Sequence, residues 1–331
     1  MLRPRSPSAH NAFGGLNPAA FAPNSELSPV QTIRYLTDPD LAAFAWPGVV
    51  AAAGVAVVGS VLSIFVVLKR LAFIGQGVSH AAFGGVGVAF ILGVTGVAAV
   101  GASSHEALVQ DLGLLAIVTA FSLLAAMAIA RMARRRQIEA DTAIGVVLVA
   151  TMALGSVLLD SAARAAAKAG RPPPPSIDGV LFGSLASVGW TNAIVAWAAA
   201  AGVLLTLWML RRPMLFWAFD EPAAEAYGVP TRRMGAVLLV LLAVAIVVTM
   251  RLAGVILATA MLVLPGAAAL RLSMRWRHVV VWSVGIGLLG AWGGLILSFE
   301  TDLPAGPCVV GAQLMLFLAA WTVGAARGGA R

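Results

Sequence analysis

Residues 48–70 read GVVAAAGVAVVGSVLSIFVVLKR, an apolar run that meets no charge until Lys69 and Arg70. About 20 mostly apolar residues in a helix cross a bilayer, and a basic pair at one end marks the cytoplasmic side. Comparable runs follow near 79–100, 112–130, 142–160, 189–210, 234–250, 252–270, 279–298 and 305–323. The sequence thus predicts an all-α polytopic membrane protein with about nine transmembrane helices, or eight if 234–270 is a single span. Two spans joined by a tight turn at Arg251–Gly254 is the preferred reading. One span would need about 37 residues, against a usual range of about 17–25.

Composition agrees. Of 331 residues, 60% are hydrophobic and 11% charged, and the mean hydropathy is +0.93. A soluble domain carries about 25% charged residues, so a soluble enzyme is excluded, and a disordered chain is excluded by the same hydrophobicity. The single Cys308 rules out a disulfide framework and a cysteine-rich metal cluster. Only two lysines occur, Lys69 and Lys168, neither in a GK[ST] sequence, so the chain carries no P-loop ATPase of its own.

The net charge of +8 has a topological meaning. With the first span running inward, the inner connections hold Lys69, Arg70, Arg131, Arg134 to Arg136, Arg211, Arg212, Arg232, Arg233, Arg271, Arg275, Arg277, Arg327 and Arg331. That is the positive-inside pattern; nucleic acid is not needed to explain the charge. The N-terminus is expected outside and the C-terminus in the cytoplasm. Residues 1–42 read as a flexible tail without the apolar stretch of a signal peptide, 43–325 as the transmembrane domain, and 326–331 as a short cytoplasmic tail. In the outer connection 161–188, Pro172 to Pro175 form a stiff spacer, and the stretch Gly179–Ser187 is too short to span.

Few polar side chains fall at membrane depth, which makes each informative. The richest patch is Gly75-Gln76-Gly77-Val78-Ser79-His80, followed by Gly84, Gly85 and Gly87. On a helix Gln76 and His80 are i and i+4 and share a face, with Ser79 to one side. The glycines leave a strip where another backbone can approach. A neutral imidazole is a ligand for zinc and other transition ions, so His80 assisted by Gln76 fits a cation way-station. The same pair also fits hydrogen bonding across a helix interface. One histidine makes no tight site, but conduction requires binding weak enough to release.

Elsewhere, His105, Glu106 and Asp111 read as a solvated outer loop, and Glu300 and Asp302 as either a polar turn or an outer acidic lip. Asp141 stands at the inner start of the fourth span, where a carboxylate caps a helix. The inner connection from Arg211 to Arg233 is longer than the others. Within it Asp220 is an N-cap candidate, Pro222 falls in the first turn and Gly228 ends the helix. The product is a short amphipathic helix suited to docking a soluble partner.

With these pieces in order, the chain resembles the permease subunit of bacterial zinc/manganese (metal-cation) ABC importers. The similar segments are Lys69-Arg-Leu-Ala-Phe-Ile-Gly through Ser79-His80-Ala-Ala, Asp141-Thr-Ala-Ile-Gly145 and Leu181-Phe-Gly183. They continue with Phe219-Asp-Glu to Tyr-Gly-Val229, Gly254-Val-Ile with Leu264-Pro-Gly-Ala-Ala, and Asp302-Leu-Pro-Ala-Gly306. The resemblance implies a fold similar to the cobalamin and siderophore importers, with a homodimer of permeases around one pathway. It also implies two separate cytoplasmic ABC ATPase subunits, which hold the ATP and grip Phe219, Asp220, Glu221, Glu225 and Gly228. An extracytoplasmic binding protein would deliver zinc or manganese, which is transported and not retained as a cofactor. The chain itself would be no enzyme. The family's pathway motif has an Asp four residues before the His; here that position is Gln76. An importer of an iron chelate or cobalamin-like cargo is the alternative. A secondary transporter without an ATPase is a further one, which would call for intramembrane acids or an inverted repeat, and the span centres offer neither.

Overall fold

The computed structural model describes residues 31–94, 104–133, 139–168 and 188–328, and among these every regular element is a helix. In chain order they are α1 (Gln31–Thr37), α2 (Pro39–Leu68), α3 (Ala72–Ile91), α4 (Ser104–Ala133), α5 (Ala140–Lys168) and α6 (Trp190–Met209). There follow α7 (Arg211–Phe219), α8 (Glu221–Ala226), α9 (Thr231–Met261), α10 (Leu264–Leu272), α11 (Trp276–Thr301) and α12 (Ala305–Gly328). Eight stretches among the described residues are long and apolar enough to cross a membrane: Leu41–Leu68, Ala72–Ile91, Leu112–Ala133, Asp141–Lys168, Trp190–Met209, Thr231–Leu272, Trp276–Thr301 and Ala305–Ala326.

The sixth of these, at 42 residues, contains the stretch where the sequence gives two spans or one. Gly254 interrupts α9 at φ 82°, ψ 168°, a region open essentially to glycine alone. Before it the chain starts beside Trp217, near the Lys69 end of α2, and reaches the level of Ala52 and Val55 around Ala253. Beyond it the chain descends along α2 again, with Met261 on Gly59 and Gly266 on Ser63 and Ile64. The stretch is therefore two antiparallel legs hinged at Gly254. The returning leg is broken once more at Leu262–Val263, ahead of Pro265, whose missing N–H ends the ladder.

Helix ends differ from the sequence reading in instructive ways. Residues 31–42 belong to α1 and the start of α2 and are helical; residues 1–30 lie outside the described ones. His105, Glu106 and Asp111 fall in the first turns of α4 instead of a loop, and α12 continues past residue 325. The stretches Pro172–Pro175 and Gly179–Ser187 lie outside the described residues.

Packing divides the helices into two groups. α3, α4 and α5 pack on one another; α2 packs with α6, α10 and α11, and α12 joins that group through α10 and α11. α9 contacts both groups, whereas α3 hardly touches α2, its neighbour in sequence. Glycines set the closest approaches. A Cβ at Gly84 would meet the Thr151 carbonyl and the Phe121 ring at 2.9 Å, one at Gly87 would meet Leu158 at 2.9 Å, and one at Gly155 would meet the Gly84 backbone at 2.9 Å. The strip expected from Gly84, Gly85 and Gly87 is thus an interhelical seam, with α5 and α4 seated on α3. In the other group Gln313 of α12 is fully buried and donates to the Gly287 carbonyl of α11 at 3.1 Å, while Ser63 and Ser283 both donate to the Ser60 carbonyl at 2.7 Å. Such bonds hold helices together where lipid supplies no hydrophobic drive.

Candidate functional site

The elbow between α2 and α3 is short and tightly specified. Arg70 takes a left-handed conformation, φ 55°, while its N–H donates to Val67 O at 3.1 Å and that of Leu71 to Val66 O at 2.8 Å. This pair of bonds is a Schellman motif, here built on a non-glycine residue. α3 then starts at Ala72, so His80 stands about 12 Å along the helix and within the apolar span.

One stripe of α3 carries Phe73, Gln76 and His80. Phe73 and Gln76 are exposed and His80 is half-buried. One and two turns further on, the same stripe is covered, because Gly84 and Gly87 lie under α5. His80 therefore sits where an open face meets a closed seam. Its Nδ1 is enclosed and makes no hydrogen bond within the protein. A buried polar nitrogen without a partner is uncommon, and its enclosure turns Nδ1 away from the open face, so a cation on that face would meet the imidazole through its other nitrogen. Gln76 and His80 share this face, as their spacing implies. Ser79 does not: its hydroxyl is buried and donates to Gly75 O of its own helix at 2.9 Å, which is how a hydroxyl in apolar surroundings satisfies itself.

At the Lys69 end of the bundle, the long connection is two helices with a corner. α7 buries Met214, Trp217 and Ala218 and leaves Phe219 exposed. Asp220 then caps α8, its Oδ1 accepting from Ala223 N–H at 3.0 Å, with Pro222 in the first turn. Gly228 closes α8 at φ 80°, with Val229 N–H donating to Ala224 O. Glu225 and Tyr227 face outward, whereas the half-exposed Glu221 meets Lys69 Nζ at 2.7 Å. Lys69 also donates to Trp217 O at 3.1 Å and lies 4.1 Å from the centroid of its ring. The hydrogen bond from Lys69 holds the Glu221 carboxyl below the usual carboxylate range. The capped helix was legible in the sequence; α7 and the anchoring role of Lys69 were not, although a lysine is rare in this chain and one at a span end is a signal.

At the opposite end, Glu300 does not stand as a bare carboxylate. Its Oε1 accepts from Thr32 N–H at 2.9 Å and from Thr32 Oγ1 at 2.6 Å, and its Oε2 accepts from Gln31 N–H at 3.2 Å. It thereby caps α1, and Tyr35 stacks on Phe299 at 5.1 Å beside it. Asp302 is exposed and terminates α11 in the left-handed region, φ 54°. Asp141 is exposed in the first turn of α5. Among the described residues, no three His, Cys, Asp or Glu side chains converge as a metal cluster.

The profile of the family described as ABC 3 transport family matches residues 42–324. The chain belongs to the ABC 3 transport family. As a member of the ABC 3 transport family it is a multi-pass membrane permease chain, not itself an enzyme. Among its curated relatives is the manganese transport system membrane protein MntC of Halalkalibacterium halodurans, 27% identical over 267 residues, 81% of this chain and 82% of that one. Another is the high-affinity zinc uptake system membrane protein ZnuB of Haemophilus influenzae, 26% identical over 78% of this chain and 88% of its own. The solved structure of PsaBC from Streptococcus pneumoniae in complex with Fab is similar with a TM-score of 0.72 at 26% identity, covering 87% of this chain and 95% of that one. The α3 stripe, the α7–α8 corner and Glu300 all fall inside the stretch matched by the ABC 3 transport family.

Proposed function

We propose that this chain is the permease subunit of an ATP-driven importer of divalent transition metal ions, zinc or manganese. The observation that carries the reading is His80: a half-buried imidazole with an enclosed, unbonded Nδ1, on an open stripe with Gln76, in a chain whose relatives are named for manganese and zinc transport. Moving a bare divalent ion through hydrocarbon costs tens of kcal/mol, so the path is polar and lies between protein elements. Two permease copies facing each other across the α3 stripe supply such a path, and His80 makes a brief, weak contact in it. Gln76 contributes an amide oxygen without charge.

Energy comes from two separate ABC ATPase subunits docked on Phe219, Asp220, Glu221, Glu225 and Gly228. This assignment rests on the exposed, well-capped corner between α7 and α8, at the same end as most of the basic connections. That end is the cytoplasmic one by the positive-inside rule, which puts α1 and Glu300 outside, facing an extracytoplasmic metal-binding protein. In this arrangement Glu300 acts through α1 and only Asp302 offers a free acidic lip. Asp141, in the first turn of α5, acts as a favourable charge at a helix N-terminus.

The test is uptake of zinc, manganese and iron in cells that co-express the chain with its ATPase and binding protein. Wild type imports one of these ions, His80→Ala loses import while still co-purifying with the ATPase, and Gln76→Asp changes the preference or rate. Undiminished uptake in His80→Ala would overturn the pathway assignment. A second reading, a chelated iron or cobalamin-like cargo, is favoured by one observation, the neutral Gln76 beside His80, and it predicts uptake of the chelate but of no free ion.

A further inference from the structure

Beside the apolar packing of Met214, Trp217 and Ala224 into the core, the polar contact from the α7–α8 corner to the α2–α3 elbow falls on Lys69, at a mechanically special place. Lys69 is the last residue before the left-handed Arg70, so its side chain is fixed to the α2 end of the elbow from which α3 departs. The side chain is 13% exposed and reaches three features of the corner: the Glu221 carboxylate of α8, the Trp217 carbonyl of α7 and the Trp217 ring. Since α3 packs on α4 and α5 and hardly on α2, the elbow and α9 are what connect the group bearing His80 to the other helices.

From this juxtaposition we infer that Lys69 is a positioning residue, the latch through which displacement of the α7–α8 corner turns the α3–α4–α5 group about the elbow at Lys69–Leu71. A partner that grips the exposed corner pulls on Glu221 and Trp217; Lys69 passes the pull to the elbow, and the Gln76–His80 stripe moves with α3. Two features suit the residue to that task. Its three partners belong to two helices and fix the direction of the pull. Its near-burial holds the Lys69 end of the contact in place, while Glu221 stays half-exposed to a docking partner.

The inference rests on the corner being the ATPase-docking surface, and the test separates the two. In the full permease–ATPase assembly with Cys308→Ala, spin labels are placed at exposed Val146 of α5 and Leu289 of α11. The ATP-dependent change in their separation is measured together with uptake per ATP hydrolysed. Lys69→Met is expected to co-purify with the ATPase and to hydrolyse ATP. It is also expected to lose the label movement and to lower uptake per ATP by about fivefold or more, the scale of an ordinary coupling free energy. Lys69→Arg, which keeps the charge and the donors, is expected to restore both. A Lys69→Met assembly that moves its labels and couples like wild type overturns the inference, as does a wild-type assembly whose labels do not respond to ATP. Wild type that moves its labels through Lys69 yet imports no free ion overturns the metal-import reading and leaves the latch standing.

Discussion

Two glycines on one helix provide opposite-signed predictions from a single geometric argument. At Gly155 a Cβ would lie 2.6 Å from Phe83 Cδ1, 2.9 Å from Gly84 Cα and 3.0 Å from Gly84 N. Carbon pairs settle near 3.5–4.0 Å, so in Gly155→Ala α5 must withdraw from α3 by roughly 0.6–1 Å, because backbone cannot rotate out of the way. Overpacking of this kind costs about 1–3 kcal/mol, and alanine's helix preference over glycine returns about 0.5–1 kcal/mol. The net expectation is about 0.5–2 kcal/mol of destabilisation. Gly145, ten residues earlier on α5, has nothing within 4 Å of its Cβ position, so Gly145→Ala keeps only the gain of about 0.5–1 kcal/mol. The assay is the thermal unfolding midpoint of the two purified variants in the same detergent, with uptake measured alongside. Gly155→Ala falls below wild type and Gly145→Ala rises above it. Since Gly84 is one turn from His80, Gly155→Ala also reduces uptake. A Gly155→Ala protein as stable as Gly145→Ala would refute the seam.

Three further outcomes follow from named contacts. Asp220→Ala removes the α8 cap, worth about 0.5–2 kcal/mol, and is expected to weaken ATPase co-purification while leaving the transmembrane fold intact by circular dichroism. For Glu221 the folded pKa is depressed by Lys69, so the pair's contribution is present above the ordinary carboxylate range and fades as pH falls through the lowered value. The stability gap between wild type and Glu221→Gln should be flat from pH 8 to about 5 and close only below about 4, and with half of Glu221 exposed it should stay under about 1 kcal/mol. Glu300→Ala removes the acceptor for Thr32 and Gln31, and amide exchange across 31–37 should then rise selectively, with α11 unchanged before residue 299.

The legible parts of this chain are those set by local chemistry. Span positions follow from hydropathy, the ends of α8 from Asp220, Pro222 and Gly228, and the hinge at Gly254 from a lone glycine next to the single charge in a long apolar stretch. The shared face of Gln76 and His80 follows from spacing alone. Contacts between distant residues were not legible. Lys69 and Glu221 are 152 positions apart, and Glu300 and Thr32 are 268 apart, so the local pattern gives a topological charge in one case and either a polar turn or an acidic lip in the other. Ser79 differs in another way: in the sequence it reads as a neighbour of His80, whereas its hydroxyl donates to the Gly75 carbonyl one turn back on its own helix. The Arg211-Arg212-Pro213 start disguised α7 as loop, because its apolar face is recognisable only once Met214 and Trp217 are buried.

The most direct test of the central claim uses proteoliposomes containing the chain with its ATPase subunits, ATP on the ATPase side and the binding protein on the other. Accumulation of zinc, manganese and iron is followed as free ions and as chelates. The account predicts ATP-dependent accumulation of a free divalent ion, abolished by His80→Ala with ATP hydrolysis retained. Accumulation that persists in His80→Ala, or that occurs only with a chelated cargo, would contradict it.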